Sequence, residues 1–183
     1  MKQNEAKQVI QILMEALPYI QKFSKKICIV KYGGAAMTDN NLKNSFAKDI
    51  ALMKQVGINV VIVHGGGPQI DEQLKKVGIE RNFKDGIRVT DIKTIGIVAD
   101  TLTNLVNKEI VSLINHNGGN AIGVAKDKND VIKVQKYMTE DKDYGYVGEI
   151  VDVDSNYLYD LMTSNYIPVI APLGFDENDD IFN

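Results

Sequence analysis

The sequence predicts an α/β protein, a three-layer αβα sandwich built on one mainly parallel open sheet. Three observations predict it. Short apolar, β-branched runs (Ile27 to Val30, Val60 to Val63, Ala121 to Val124, Ile167 to Ile170) alternate with longer segments of helical periodicity. The first two runs lack apolar–polar alternation, as expected of strands buried on both faces. Strands that alternate with helices imply parallel neighbours with helices packed on either side.

The elements follow in order. Residues 4 to 22 place Val9, Leu13, Ala16, Leu17 and Ile20 at helical spacing, and Pro18 should kink or end that helix. Its apolar stripe needs cover, either from its own domain or from a partner subunit. Residues 40 to 56 carry Leu42, Phe46, Ile50 and Met53 on one helical face, with Gly57 as the stop. A helix from Gln69 to Val77 ends at Gly78 in the same way. Residues 91 to 115 form a long helix with Ile95, Val98, Leu102, Val106, Ile110 and Leu113 on one face. Val131 to Lys136 and Tyr146 to Val153 alternate apolar and polar residues, the period of strands with one wet face. Charged residues and Gly145 separate them, so they read as an antiparallel excursion able to act as a lid. Asp176 to Asp180 is an acidic turn, after which Ile181 and Phe182 open a new apolar run that stops at Asn183. The expectation is a chain cut partway through a longer protein.

Composition excludes several function classes. The chain has 183 residues and a net charge of -3, without the basic field that a nucleic-acid binder needs. Its apolar runs are too short to span a bilayer, and the N-terminus lacks the pattern of a signal peptide. Cys28 is the single cysteine and has no internal partner for a disulfide. The expectation is a cytoplasmic protein with no membrane and no nucleic-acid partner.

Two glycine clusters each follow a predicted strand, Lys31-Tyr32-Gly33-Gly34 and His64-Gly65-Gly66-Gly67-Pro68. In open parallel sheets ligands bind beyond the carboxyl ends of the strands, where both clusters would lie. Glycines let backbone N–H groups approach an anion, and a helix N-terminus adds partial positive charge, so an anion cradle is favoured over a simple turn. Neither cluster is a P-loop or a GxGxxG fingerprint, so the glycines specify an anion without saying which. Lys31 would extend its ammonium over the same crevice, suited to charge developing on a transferring phosphoryl group. Arg88, in Asp85-Gly86-Ile87-Arg88-Val89-Thr90, suits bidentate capture of a carboxylate. Taken singly, Lys31 reads as a solvated strand-end lysine and Arg88 as a surface arginine. His64 reads as a turn residue and His116 as a helix-end residue; they form no metal cluster, and no metal site is expected.

Taken in order and spacing, these motifs resemble the acylglutamate kinases of the amino acid kinase family. Asn107-Lys108-Glu109-Ile110, Gly145-Tyr146-Val147-Gly148 and Tyr166-Ile167-Pro168-Val169-Ile170-Ala171-Pro172 extend the resemblance over essentially the whole chain. It implies an amino acid kinase-like fold, with residues 1–24 as an N-terminal helix for oligomerisation and 25–183 as the substrate-binding lobe. It also implies ATP-dependent phosphorylation of the side-chain carboxylate of N-acetyl-L-glutamate, assisted by Mg2+, on the way to arginine. Lys31 would be catalytic, stabilising the transferred phosphoryl. Gly66, Gly67, Arg88 and Asn183 would bind the substrate, Arg88 through its α-carboxylate. Lys31, Gly33 and Gly34 would lie at the ATP phosphates, and residues 131 to 153 would cover the substrate. The leading helix would join dimers into a hexameric ring. Family members continue into a second lobe that holds most of the ATP site, a catalytic aspartate, a second catalytic lysine and most of the arginine-inhibitor site. A half-sheet lacking that lobe would expose apolar surface. Where the family often has a glycine-lysine-aspartate step, this chain has Ala125-Lys126-Asp127-Lys128. The rival reading is a non-catalytic amino-acid-binding or assembly module of the same descent; a weaker one is a kinase for another acylated amino acid.

Overall fold

A computed structural model describes residues 3–124, 131–139 and 141–183. The loop at 125–128 lies outside the described residues. Helix α1 (Gln3–Phe23) leads into strand β1 (Ile27–Tyr32), a 3-10 turn (Gly34–Met37), helix α2 (Asn40–Gln55) and strand β2 (Asn59–His64). Helix α3 (Gly67–Lys76) and the hairpin β3 (Phe83–Lys84) and β4 (Ile87–Arg88) follow. One long helical stretch comes next: α4 (Ile92–Asp100), a π-helical segment (Thr101–Asn107) and α5 (Lys108–His116). The remaining elements are β5 (Ala121–Val124), β6 (Ile132–Thr139), β7 (Lys142–Val153), α6 (Ser155–Thr163), β8 (Ile167–Ile170), β9 (Gly174–Phe175) and β10 (Ile181–Phe182).

The central sheet has the order β1-β2-β8-β5 with all pairs parallel, as predicted. One face carries Val60, Ile62, Ile167 and Val169 against Ala47 and Ile50 of α2 and Ile110 and Ile114 of α5. The other face carries Val61, Val124 and Ile170 against Met162 of α6. Helices on both faces give the three layers. A third cluster joins α3, α4 and the segment after β8 through Ile70, Leu74, Val98, Leu102, Ala171 and Leu173.

Several expectations are corrected. Strand β1 is buried on one face only, because it is an edge strand and α6 does not cover it. Ile29 pairs with Val61 on the α6 face and is 70% exposed, with Ile27 beside it also exposed. Pro18 does not end α1, which runs on to Phe23. Proline removes one intrahelical hydrogen bond, and the carbonyl it orphans belongs to Met14, an exposed residue that water can reach. Of the two covers proposed for α1, its own domain is not the one found: Val9, Leu13 and Leu17 are all exposed. Gly145 lies within β7 and not between the strands.

The excursion is real and larger than predicted. β6 and β7 pair antiparallel from Ile132↔Val153 to Thr139↔Lys142, and β9 and β10 extend the same sheet. The acidic turn between β9 and β10 is closed by Asp176, whose carboxylate accepts from the N–H groups of Asn178 and Asp180, both at 2.9 Å.

Candidate active site

In the parallel pairing Tyr32 sits beside His64, so both glycine segments leave the same end of the sheet. The Gly65 N–H donates to the Tyr32 carbonyl at 2.8 Å, and Gln69 Nε2 donates to the Met37 carbonyl at 3.4 Å. These two bonds tie the second glycine segment to the first. Gly34 has φ +65, open to glycine at little cost, and space around Gly33 and Gly34 is unfilled. Lys31 is exposed at the end of β1, and no side chain among the described residues pairs with its ammonium.

Gly66 has an extended φ, so its need is spatial: a Cβ there would meet Leu102 Cδ2 of the π segment at 2.6 Å. Helix α3 begins at Gly67, with Pro68 in the first turn where its missing N–H costs nothing. The N–H groups of Gly66 and Gly67 find no acceptor among the described residues, as expected of a helix start. Two free N–H groups at a helix N-terminus are what an anion cradle requires.

Arg88 is placed differently from a surface arginine. Asp85 (φ 52) and Gly86 (φ 81) form the two-residue turn of the β3–β4 hairpin, which Asp-Gly favours, and Arg88 lies buried on the returning strand. Its Nη2 donates to Asp71 of α3, and its guanidinium stacks 4.7 Å from the Phe83 ring centroid. Asp71 is four residues after Gly67, so one helix supports both the glycine cradle and the arginine. Nη1 of Arg88 is buried without a partner.

Strand β7 links Arg88 to Asn183. Thr90 donates its N–H to the Tyr144 carbonyl at 3.0 Å and accepts from Tyr146 at 2.7 Å. Gly145, at φ +75, is required there, since a Cβ would stand 2.1 Å from the Thr90 carbonyl oxygen. Asn183 exchanges backbone hydrogen bonds with Tyr146 and Gly148, both at 3.1 Å. Its side-chain Oδ1 is also buried without a partner. Asp85 anchors the hairpin from below, accepting from Lys142 Nζ at 2.6 Å and Tyr144 Oη at 3.0 Å; these bonds hold its carboxyl below the usual carboxylate range.

Two residues take places that the sequence did not predict, His64 and Asn107, which pair in the core. His64 is not a turn residue; it closes β2 and is 2% exposed. Its Nδ1 is 2.7 Å from the Gly65 carbonyl oxygen, and its Nε2 is 3.1 Å from Nδ2 of Asn107. Asn107 closes the π segment, is itself buried, and also donates from Nδ2 to the Val169 carbonyl at 2.8 Å. Burial pushes the His64 imidazole below its ordinary value, partly opposed by the Gly65 carbonyl. Both residues stood inside the motifs that carry the family resemblance, but nothing in the sequence paired the two or marked them as buried.

Comparisons with known proteins agree with this architecture. A model of the Amino acid kinase family matches residues 26–183. The chain is 48% identical to an acetylglutamate kinase of Saccharophagus degradans, over 99% of this chain and 64% of the relative. It is 51% identical to an acetylglutamate kinase of Thermoanaerobacter pseudethanolicus, over 94% of this chain and 58% of the relative. It therefore spans about three fifths of the length of these relatives and corresponds to their N-terminal part. Among solved structures, smu.665 from Streptococcus mutans aligns with a TM-score of 0.78 at 26% identity, over 87% of this chain and 63% of that one. An N-acetylglutamate synthase from Neisseria gonorrhoeae, complexed with coenzyme A and N-acetyl-glutamate, aligns at 0.81 and 22% identity, over 95% of this chain and 40% of that one, a likeness of fold. On its parallel sheet, its glycine segments and the match over residues 26–183, the chain belongs to the amino acid kinase family.

Proposed function

We propose that this chain supplies the substrate lobe of an ATP-dependent kinase that phosphorylates the side-chain carboxylate of N-acetyl-L-glutamate, giving N-acetyl-L-glutamyl 5-phosphate. One observation carries the reading: Arg88 Nη1 and Asn183 Oδ1 are both buried and unpartnered, on two segments that meet β7 through the N–H and the C=O of Tyr146. Buried polar atoms without partners are rare and costly, so each asks for a ligand group. A guanidinium donor suits an α-carboxylate, and an amide oxygen suits an acylated amine, which still carries one N–H. Free glutamate would instead bring a charged ammonium to a buried amide. The names of the relatives support the same substrate.

In this reading Gly66 and Gly67 turn their N–H groups to the reacting carboxylate. With an unperturbed value of about 4.3 that carboxylate is already ionised and needs no general base. The lobe works by positioning and by charge. Asp71 keeps Arg88 at a fixed angle, and the β6–β7 hairpin covers the substrate and excludes water. Lys31, Gly33 and Gly34 would hold the ATP phosphates, which the exposed, unpaired ammonium and the open space at both glycines suit. Bound ATP would supply the phosphoryl group. Among the described residues no three His, Cys, Asp or Glu side chains are grouped as ion ligands; a Mg2+ carried on the ATP phosphates would not require such a group.

No described helix is long and apolar enough to cross a membrane, and a biosynthetic kinase of this kind would work in the cytoplasm. The exposed apolar residues of α1 favour a homo-oligomer, a dimer or hexamer in the full-length enzyme. The test is Arg88→Ala. Loss of a hydrogen bond to a charged group costs about 1.5–3 kcal/mol, so the variant should bind N-acetyl-L-glutamate about tenfold or more weakly by calorimetry. Unchanged affinity would remove Arg88 from the site.

A further inference from the structure

We infer that His64 is a positioning residue, held by Asn107 in its Nδ1–H tautomer so that it pins the Gly65 carbonyl and aims the Gly66 N–H into the crevice. The inference rests on the substrate reading above only for its affinity readout.

The hydrogens of the Asn107 amide decide the tautomer. The Asn107 side-chain nitrogen lies 2.8 Å from the Val169 carbonyl and 3.1 Å from His64 Nε2. A carbonyl can only accept, so the atom facing Val169 must be the nitrogen of the amide, which fixes the amide's orientation. The amide's second hydrogen then faces Nε2, which must present its lone pair. In a neutral imidazole the proton is left to Nδ1. Nδ1 lies 2.7 Å from the Gly65 carbonyl oxygen and donates to it. Every polar atom of the ring is thereby satisfied in one tautomer only. The alternative tautomer would set a donor against a donor at Asn107 and an acceptor against an acceptor at Gly65.

The consequence reaches the cradle through the planar peptide. In a trans peptide the Gly65 C=O and the Gly66 N–H point in opposite directions. Pinning the carbonyl inward to His64 therefore turns the Gly66 N–H outward. Glycines on their own would leave that plane free to rotate. The Gly65 N–H is separately bound to Tyr32, so the segment is held at both of its first two peptides. Asn107 is held in turn: its Oδ1 would stand 2.3 Å from a Cβ at position 123, so only Gly123 of β5 leaves it room. The π segment matters because it ends on Asn107 and delivers that amide to the sheet.

The experiment uses this chain with 15N-labelled histidine. Ring-nitrogen spectra of the wild type should show His64 Nδ1 protonated and Nε2 bare; a protonated Nε2 would overturn the inference without reference to any ligand. Two variants then separate positioning from packing. His64→Asn keeps a donor near the Nδ1 position, whereas His64→Gln places its amide near the Nε2 position. Calorimetry with N-acetyl-L-glutamate should show His64→Gln weakened about fivefold or more, the worth of one hydrogen bond. His64→Asn should stay closer to wild type. Equal losses in both, with folding confirmed by circular dichroism, would reduce His64 to packing and overturn the inference. A wild type that binds no N-acetyl-L-glutamate while showing the Nδ1–H tautomer would contradict the substrate reading and support the tautomer.

Discussion

At the scale of single residues, the site is held by residues that never need to touch a ligand. Asp71 presents Arg88, Asn107 sets His64, and Gly145 lets β7 reach Thr90. Two predictions belong here. In the complete enzyme Lys31→Ala should lower kcat with little change in KM, because its charge acts on the transferring group and not on substrate binding. Steady-state kinetics check this, and an unchanged kcat would remove the role. His64 gives a pH prediction with a definite sign. Its folded value lies below the ordinary 6.5, so the unfolded chain takes up the proton first. Its contribution to stability is complete above that value and is lost as pH falls through the depressed folded value. Urea unfolding at pH 7 and below pH 6 should show this loss in the wild type and a smaller one in His64→Asn. The candidate residues were legible in the sequence unevenly. The glycines, Lys31 and Arg88 stood at strand ends or in turn signals. His64 and Asn107 lay inside quoted motifs, yet their pairing was not legible, because a polar residue buried by a partner far along the chain looks locally like the end of an apolar run.

At the scale of elements, the long helix shows how periodicity carries more than it first reveals. Val98, Leu102, Val106, Ile110 and Ile114 recur strictly every four residues and all are buried. Four residues turn an α-helix by about 400°, so each step drifts by about 40° and the stripe would wind off the core. The π segment, with its wider turn, absorbs that drift. The strict spacing was in the sequence, and its reading as one plain α-helix overlooked it. The Asp-Gly turn of β3–β4 was also present and read only as a turn, while β9 and β10 are too short for any periodicity to mark. The hairpin yields a stability prediction. Gly145→Ala meets both a positive φ and a backbone oxygen, so it should destabilise the fold by about 2 kcal/mol or more in denaturant titration. Helix α1 yields another. Its exposed Val9, Leu13 and Leu17 predict that removing residues 3–23 lowers the oligomeric state in analytical ultracentrifugation, and an unchanged mass would assign that stripe elsewhere.

At the scale of the whole molecule, the sheet order β1-β2-β8-β5 places two glycine segments at one end and leaves the outer face of β1 bare. Fold class was legible because buried parallel strands and covering helices write different periods. What was not legible was which strand lies at the edge, since Ile27 and Ile29 read like any buried pair until the neighbours are known. In the function proposed above, the chain recognises an acylated glutamate by its own residues. The most direct measurement is calorimetric titration of the chain with N-acetyl-L-glutamate, with L-glutamate as the control. Binding of the acylated form and not of the free amino acid is the predicted result. Equal binding of both, or none by a chain that circular dichroism shows to be folded, would contradict the account.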